Sequence, residues 1–104
     1  MGEWKQMSPD AERDHQVLTL RDQGRTFATI ATILGLDGPG AAAASFNRAL
    51  RRRPKAEQER LRSREMARLD EQALVLRGRN DLSVEEIVRR MRGVKHQRKS
   101  LFVG

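Results

Sequence analysis

Wherever apolar residues gather in this chain, they recur three and four positions apart. Phe27, Ile30, Ala31 and Leu34 do so, as do Met66, Leu69, Ala73 and Leu76, and again Val84, Ile87, Val88, Met91 and Val94. A strand returns to one face every second residue, a helix after three or four. The period restricts the chain to helices, and no alternating run or internal repeat offers anything else. The expected fold class is all-α: an N-terminal helix-turn-helix unit of three helices, then a long antiparallel helical hairpin.

The stripes are narrow. Of 104 residues, 38% are apolar and 34% charged, and Trp4, Phe27, Phe46 and Phe102 are the only aromatics. Small chains with thin cores often gain stability by association, so a homo-oligomer is expected. Lys and Arg number 21 against 14 Asp and Glu, a net charge of +7. Such an excess suits a polyanion, and no segment is apolar enough to lie in or cross a membrane, so double-stranded DNA is the expected partner. The bland alternative is a well-solvated basic surface. Without cysteine there is no disulfide, thiolate metal site or Cys nucleophile. Residues 1–20 lack the apolar stretch of a signal peptide, which makes the cytoplasm the expected compartment.

Four parts are expected: a flexible lead (1–8), a DNA-binding unit (9–54), an oligomerisation hairpin (55–99) and a tail (100–104). Ser8-Pro9-Asp10 reads as a helix start, with Ser8 as cap and Asp10 and Glu12 at the positive end of the dipole. Val17, Leu18 and Leu20, with Ala11 and His15, are expected to form the buried stripe, and Gly24 to end the helix. Thr26 caps the second helix and Gly35 closes it. Asp37-Gly38-Pro39-Gly40 reads as a loop. A third helix then starts near Ala41, with Ala41 and Ala44 packed inward. A long polar helix spans 55–77, solvated before Met66. Ser83-Val84-Glu85-Glu86 is a capping box that opens the last helix.

Residues 16–53 carry the functional signal. Ala31 and Gly35 stand four apart among Ile30, Leu34 and Leu36, the small-residue and turn positions of a helix-turn-helix; a plain helical hairpin with a Gly cap fits the same residues. On the third helix Ser45, Asn47 and Arg48 are expected to be exposed and to reach base edges or phosphates. Arg51, Arg52, Arg53 and Lys55 suit the phosphate backbone, as do Arg25, Thr26 and Thr29 at the start of the second helix. The seams of Met66, Leu69, Ala73 and Leu76 and of Val84, Ile87, Val88, Met91 and Val94 are expected to drive oligomerisation. A second basic cluster (Arg89, Arg90, Arg92, Lys95, Arg98 and Lys99) is explained by pairing with Glu85, Glu86 and carboxylates on the facing helix, or by DNA.

Nothing points to catalysis. His15 and His96 lie in no ligand spacing, and Gly35 to Gly40 has no following Lys-Ser or Lys-Thr for a phosphate. No enzyme activity, cofactor or metal is expected.

In its order of parts the chain resembles small terminase subunits and related helix-turn-helix proteins of tailed bacteriophages. The likeness lies in Ile30-Ala31 and Leu34-Gly35-Leu36 before Gly40-Ala41-Ala42, then in Phe46-Asn47-Arg48-Ala49-Leu50. A long helix with Met66-Ala67-Arg68-Leu69-Asp70 and an ending Arg98-Lys99-Ser100-Leu101-Phe102 complete it. The resemblance implies a viral DNA-packaging protein in the host cytoplasm. Residues 9–54 would bind packaging-site DNA, 55–99 would assemble the oligomer, and 100–104 would engage the large terminase subunit. A dimeric helix-turn-helix transcriptional regulator is the alternative. A third possibility is an interaction protein whose hairpin binds another protein while the N-terminal unit only packs.

Overall fold

A computed structural model describes residues 8–102; the expectations for residues 1–7, Val103 and Gly104 lie outside them. All regular structure among these residues is helical: α1 (Pro9–Asp22), α2 (Phe27–Leu34), α3 (Pro39–Arg51), α4 (Lys55–Arg77) and α5 (Val84–Ser100). The chain divides into two units, one ending at Pro54 and the other starting at Lys55.

In the first unit, local chemistry sets the helix ends. The Ser8 hydroxyl accepts from the Ala11 N–H at 3.1 Å, and Thr26 does the same for Thr29 at 3.1 Å. Each satisfies an N–H that the helix itself cannot. Gly24 stops α1 at φ 94°, and Gly35 ends α2 in the left-handed region at φ 69°. That region costs an L-residue a Cβ–carbonyl clash which glycine lacks.

α3 starts two residues earlier than expected. Gly38, at φ 147°, is the residue before the helix, and Pro39 occupies its first turn. Proline suits that position because its φ is already helical and its missing N–H would have been unpaired. The earlier start settles the register. Ala42 rather than Ala44 packs inward; Ala41 is half-buried and Ala44 exposed.

α3 packs against both α1 and α2, which touch each other less. Val17, Leu18, Ile30, Ala31, Ala42, Phe46, Ala49 and Leu50 form the core. Phe27 meets Phe46 edge-on at 5.8 Å between centroids, and the Arg21 guanidinium lies 4.0 Å from the Phe27 ring. Two members of the expected α1 stripe sit elsewhere: Leu20 is half-buried, and His15 is exposed, with Nδ1 2.8 Å from an Arg53 nitrogen. Asp14 and Arg21 take the inward positions instead. Across the four residues between them, α2 and α3 bend by 93°.

The second unit is a helix pair. Arg98 of α5 donates to Asp70 of α4 at 2.6 Å, and Arg62 of α4 donates to the Leu101 carbonyl just past α5 at 2.9 Å. The end of α5 therefore lies beside the first half of α4, and the pair is antiparallel. Leu61, Glu65, Leu69, Ala73 and Leu76 line the α4 side, with Val94, Gln97 and Leu101 opposite. Burial of Leu61 and Glu65 corrects the expectation of a solvated first half, since the seam runs through it. Ser83 caps α5 by accepting from the Glu86 N–H at 3.1 Å. In the turn before it, Arg79 grips Asp81 with two hydrogen bonds of 2.6 and 2.7 Å.

Only part of the α5 stripe expected from sequence is covered. Val94 is buried and Ile87 and Met91 half-buried, but Val84 is 73% exposed and Val88 44%. The seam follows 87, 91, 94 and 101; Val88, one position past Ile87, turns by about 100° out of it, whereas Val84, about 20° from Met91, is exposed as the first residue of the helix. On α4, Leu69, Ala73 and Leu76 are spent within the pair and Met66 is half-buried.

Candidate nucleic-acid interface

The residues expected to read DNA divide by burial. Ser45 and Asn47, expected to be exposed, are 2% and 7% exposed, because α3 turns them toward α1 and α2 once its register is fixed from Pro39. Arg48, Arg51 and Arg52 face outward, and Arg53 is half-buried. Arg25, Thr26 and Thr29 are exposed, with the Thr26 hydroxyl donating to that of Thr29 at 2.9 Å. Lys55 is exposed and opens α4 in the other unit.

What organises the arginines is Asp14, which the sequence reading passed over. Its carboxylate is 1% exposed and meets four donor atoms from α3 and its cap residue Arg52. Oδ1 accepts from the Ser45 hydroxyl and from Arg48 Nη2 at 3.1 Å; Oδ2 accepts from Arg48 Nε and Arg52 Nη1, each at 3.0 Å. Burial pushes the carboxyl up, but hydrogen bonds from Arg48, Ser45 and Arg52 outweigh it and hold the group below its ordinary 3.8. The hydrogen bond to Asp14 likewise raises Arg48. Asp14 is thus a fixed anion on which two cations are seated.

The seating leaves both cations usable. Arg48 is 49% exposed and Arg52 51%. A guanidinium carries five N–H donors in a rigid fork; Arg48 spends the edge formed by Nε and Nη2, and Arg52 spends one nitrogen. The remaining donors reach water. Two arginines against one carboxylate leave a net positive charge at the outer, C-terminal part of α3, and exposed Arg51 adds to it. By contrast, the exposed positions of the first two turns of α3 are Pro39, Gly40 and Ala44, with Ala43 half-buried, and none has a hydrogen-bonding side chain.

A signal for Asp14 does exist in the sequence. It precedes Val17, Leu18 and Arg21 by three, four and seven residues, so it belongs to the buried stripe of α1. A carboxylate there requires cations from elsewhere, and Arg48 and Arg52, four apart, present them on one face.

Among the described residues no three or more His, Asp or Glu side chains gather as a metal site, and no single helix is long and apolar enough to cross a membrane. Compared with family models, with curated proteins and with solved structures, the chain finds no match in any of the three.

Proposed function

We propose that this chain is a DNA-binding protein that acts through residues 9–54 as a helix-turn-helix unit and self-associates through the α4–α5 hairpin. The observation that carries it is the 93° bend between α2 and α3 across Gly35–Gly38, with outward Arg48 and Arg51 on the second of these helices and outward Arg52 at its cap. Helix-turn-helix units join their helices at about 90–120° through a turn of about three or four residues. Seated on Asp14, Arg48 and Arg52 lose little side-chain freedom when they meet a phosphate.

Contact is dominated by the DNA backbone. Gly40 offers base edges no side chain, and Ala43 and Ala44 offer only methyl groups, which suit thymine methyls alone. Arg48 is the base-reading candidate, and Arg51, Arg52, Arg53 and Arg25 are phosphate ligands. Self-association is supported by Leu74, Val75, Val84 and Val88, all exposed where the turn joins α4 to α5. The order of parts supports the small terminase subunit as the role: a non-enzymatic oligomer that brings viral DNA to the large subunit.

The test pairs a DNA titration with native mass. Arg48→Ala and Arg51→Gln are titrated with a selected duplex and a scrambled one across salt concentrations. Each lost phosphate contact should lower the slope of log affinity against log salt by about 0.9. Loss of the base contact should remove discrimination between the two duplexes by roughly 1–3 kcal/mol. If both variants bind as wild type does, the DNA assignment fails. Eight or more copies support the terminase role, a dimer a transcriptional regulator, and a monomer neither.

A further inference from the structure

The net charge is not concentrated on the helix-turn-helix candidate. Residues 55–104 hold 13 Lys and Arg against eight Asp and Glu, and residues 89–99 alone hold six with no carboxylate among them. Pairing within the unit accounts for only half of these six. Glu86 takes Arg89 and Arg90 from its own helix, the latter at 2.7 Å, and Asp70 takes Arg98. Arg92, Lys95 and Lys99 are exposed, and among the described residues no carboxylate pairs with any of them.

These three share one face. Spaced three and four apart, they point within an arc of about 60° and span about 10 Å of α5. Like charges at such spacings repel and weaken a helix. The helix dipole favours cations only in the last turn, which explains Lys99 but not Arg92 or Lys95. A concentrated cationic stripe without internal counter-charge calls for an external anion.

We propose that the outer face of α5, formed by Arg92, Lys95 and Lys99, is a second contact surface for the phosphate backbone of double-stranded DNA. In its choice of DNA it rests on the function proposed above, but it involves different residues in a different unit. A duplex strand advances about 3.4 Å per phosphate, so the stripe faces roughly three phosphates. An anionic bilayer fits less well. Surface-bound helices set basic and apolar residues on opposite sides, whereas here Val84 and Val88 precede the cations along the same face, and the opposite side is packed against α4.

The test uses the full chain and a duplex of random sequence, with salt varied from roughly 50 to 200 mM. The variant Arg92→Gln, Lys95→Gln, Lys99→Gln should keep its helix content and lower the salt slope by about 2–3. Arg92→Lys should keep the slope, which ties the effect to charge. An unchanged slope in the triple variant overturns the inference. Loss of binding in Arg48→Ala and Arg51→Gln alone also overturns it while leaving the proposed function standing. Loss in the triple variant alone supports it and removes the helix-turn-helix assignment. Failure of the wild type to bind at the lowest salt overturns both. If the triple variant loses only binding to phosphatidylserine vesicles, the face serves a membrane and the inference is overturned.

Discussion

Among the described residues each unit buries one carboxylate, and the arginines that meet the two stand at different distances along the chain. Asp14 is met by Ser45, Arg48 and Arg52 from a helix more than 30 residues away in sequence. Glu65, fully buried in the helix pair, has Arg68 at 3.7 Å on its own helix, three residues on. The first arrangement exists only when α1 and α3 are packed, so it rewards tertiary structure; the second is available to α4 by itself. The apolar residues follow the same division. Among the described residues the N-terminal unit exposes one large apolar side chain, Ile33, whereas the helix pair exposes Leu74, Val75, Val84, Val88 and Phe102. A three-helix unit can close its core on itself, but a pair has outer faces that its single seam leaves uncovered.

The contrast can be broken most forcefully at Phe46. It is 1% exposed and meets Phe27 edge-on within the three-helix core, so Phe46→Ala should cost about 3–5 kcal/mol. Leu69→Ala in the two-helix seam should fall at the lower end of its usual range, about 2–3 kcal/mol. Amide exchange within α1–α3 and within α4–α5 measures each loss, and equal losses would erase the distinction.

Next in size is Asp14→Asn. Removing one partner of a buried ion pair costs about 3–5 kcal/mol, and because half of each arginine stays in water we expect about 2–3 kcal/mol. The pH dependence carries a sign. The carboxyl is held below 3.8, so its contribution is full above that value and is lost as pH falls through the folded one. Wild-type α1–α3 should therefore lose stability in acid below about pH 4, and Asp14→Asn should lack that component. An identical acid limb in both proteins would show that Asp14 carries no such linkage.

The smallest effect belongs to the turn of the helix pair. Hydrogen bonds from Arg79 lower the exposed Asp81 carboxyl to about 2. Arg79→Gln should return it toward 3.8 in an NMR titration without moving the melting temperature. A shift in melting would mean that the turn shapes the pair more than an exposed ion pair should.

How much of this was legible depended on range. Ser8, Thr26, Gly35 and Ser83 act within three or four residues, so their roles could be read directly, as could the helical character of every stripe. The start of α3 was misread because Gly38-Pro39-Gly40 has the composition of a loop, while a proline in the first turn is also good helix chemistry. Two residues of error sufficed to place Ser45 and Asn47 on the outside. The α5 stripe was read as one face because Val84 and Val88 lie close to Ile87 and Met91 on the helix surface, and only the partner helix separates them. Asp14 was missed for a different reason: in a polar helix a carboxylate resembles any solvated one until its cations, 34 and 38 residues on, are brought against it.

One consequence of the α2–α3 turn concerns chirality. Beyond its chain neighbours, no residue comes within 4 Å of where an L-residue's Cβ on Gly35 or Gly38 would stand, yet both glycines have positive φ. What excludes other residues at Gly35 is handedness, not crowding. A D-amino acid reverses that preference, because the left-handed helical region is its own favoured basin. In a chemically synthesised chain, D-alanine at position 35 would hold the native φ in its own favoured basin and restrict the unfolded chain more than glycine does, a stabilisation of about 0.4–1 kcal/mol. L-alanine would strain the same backbone and have the opposite effect. The angle at which α3 is presented is thus set by a mirror-image requirement at the residue that ends α2.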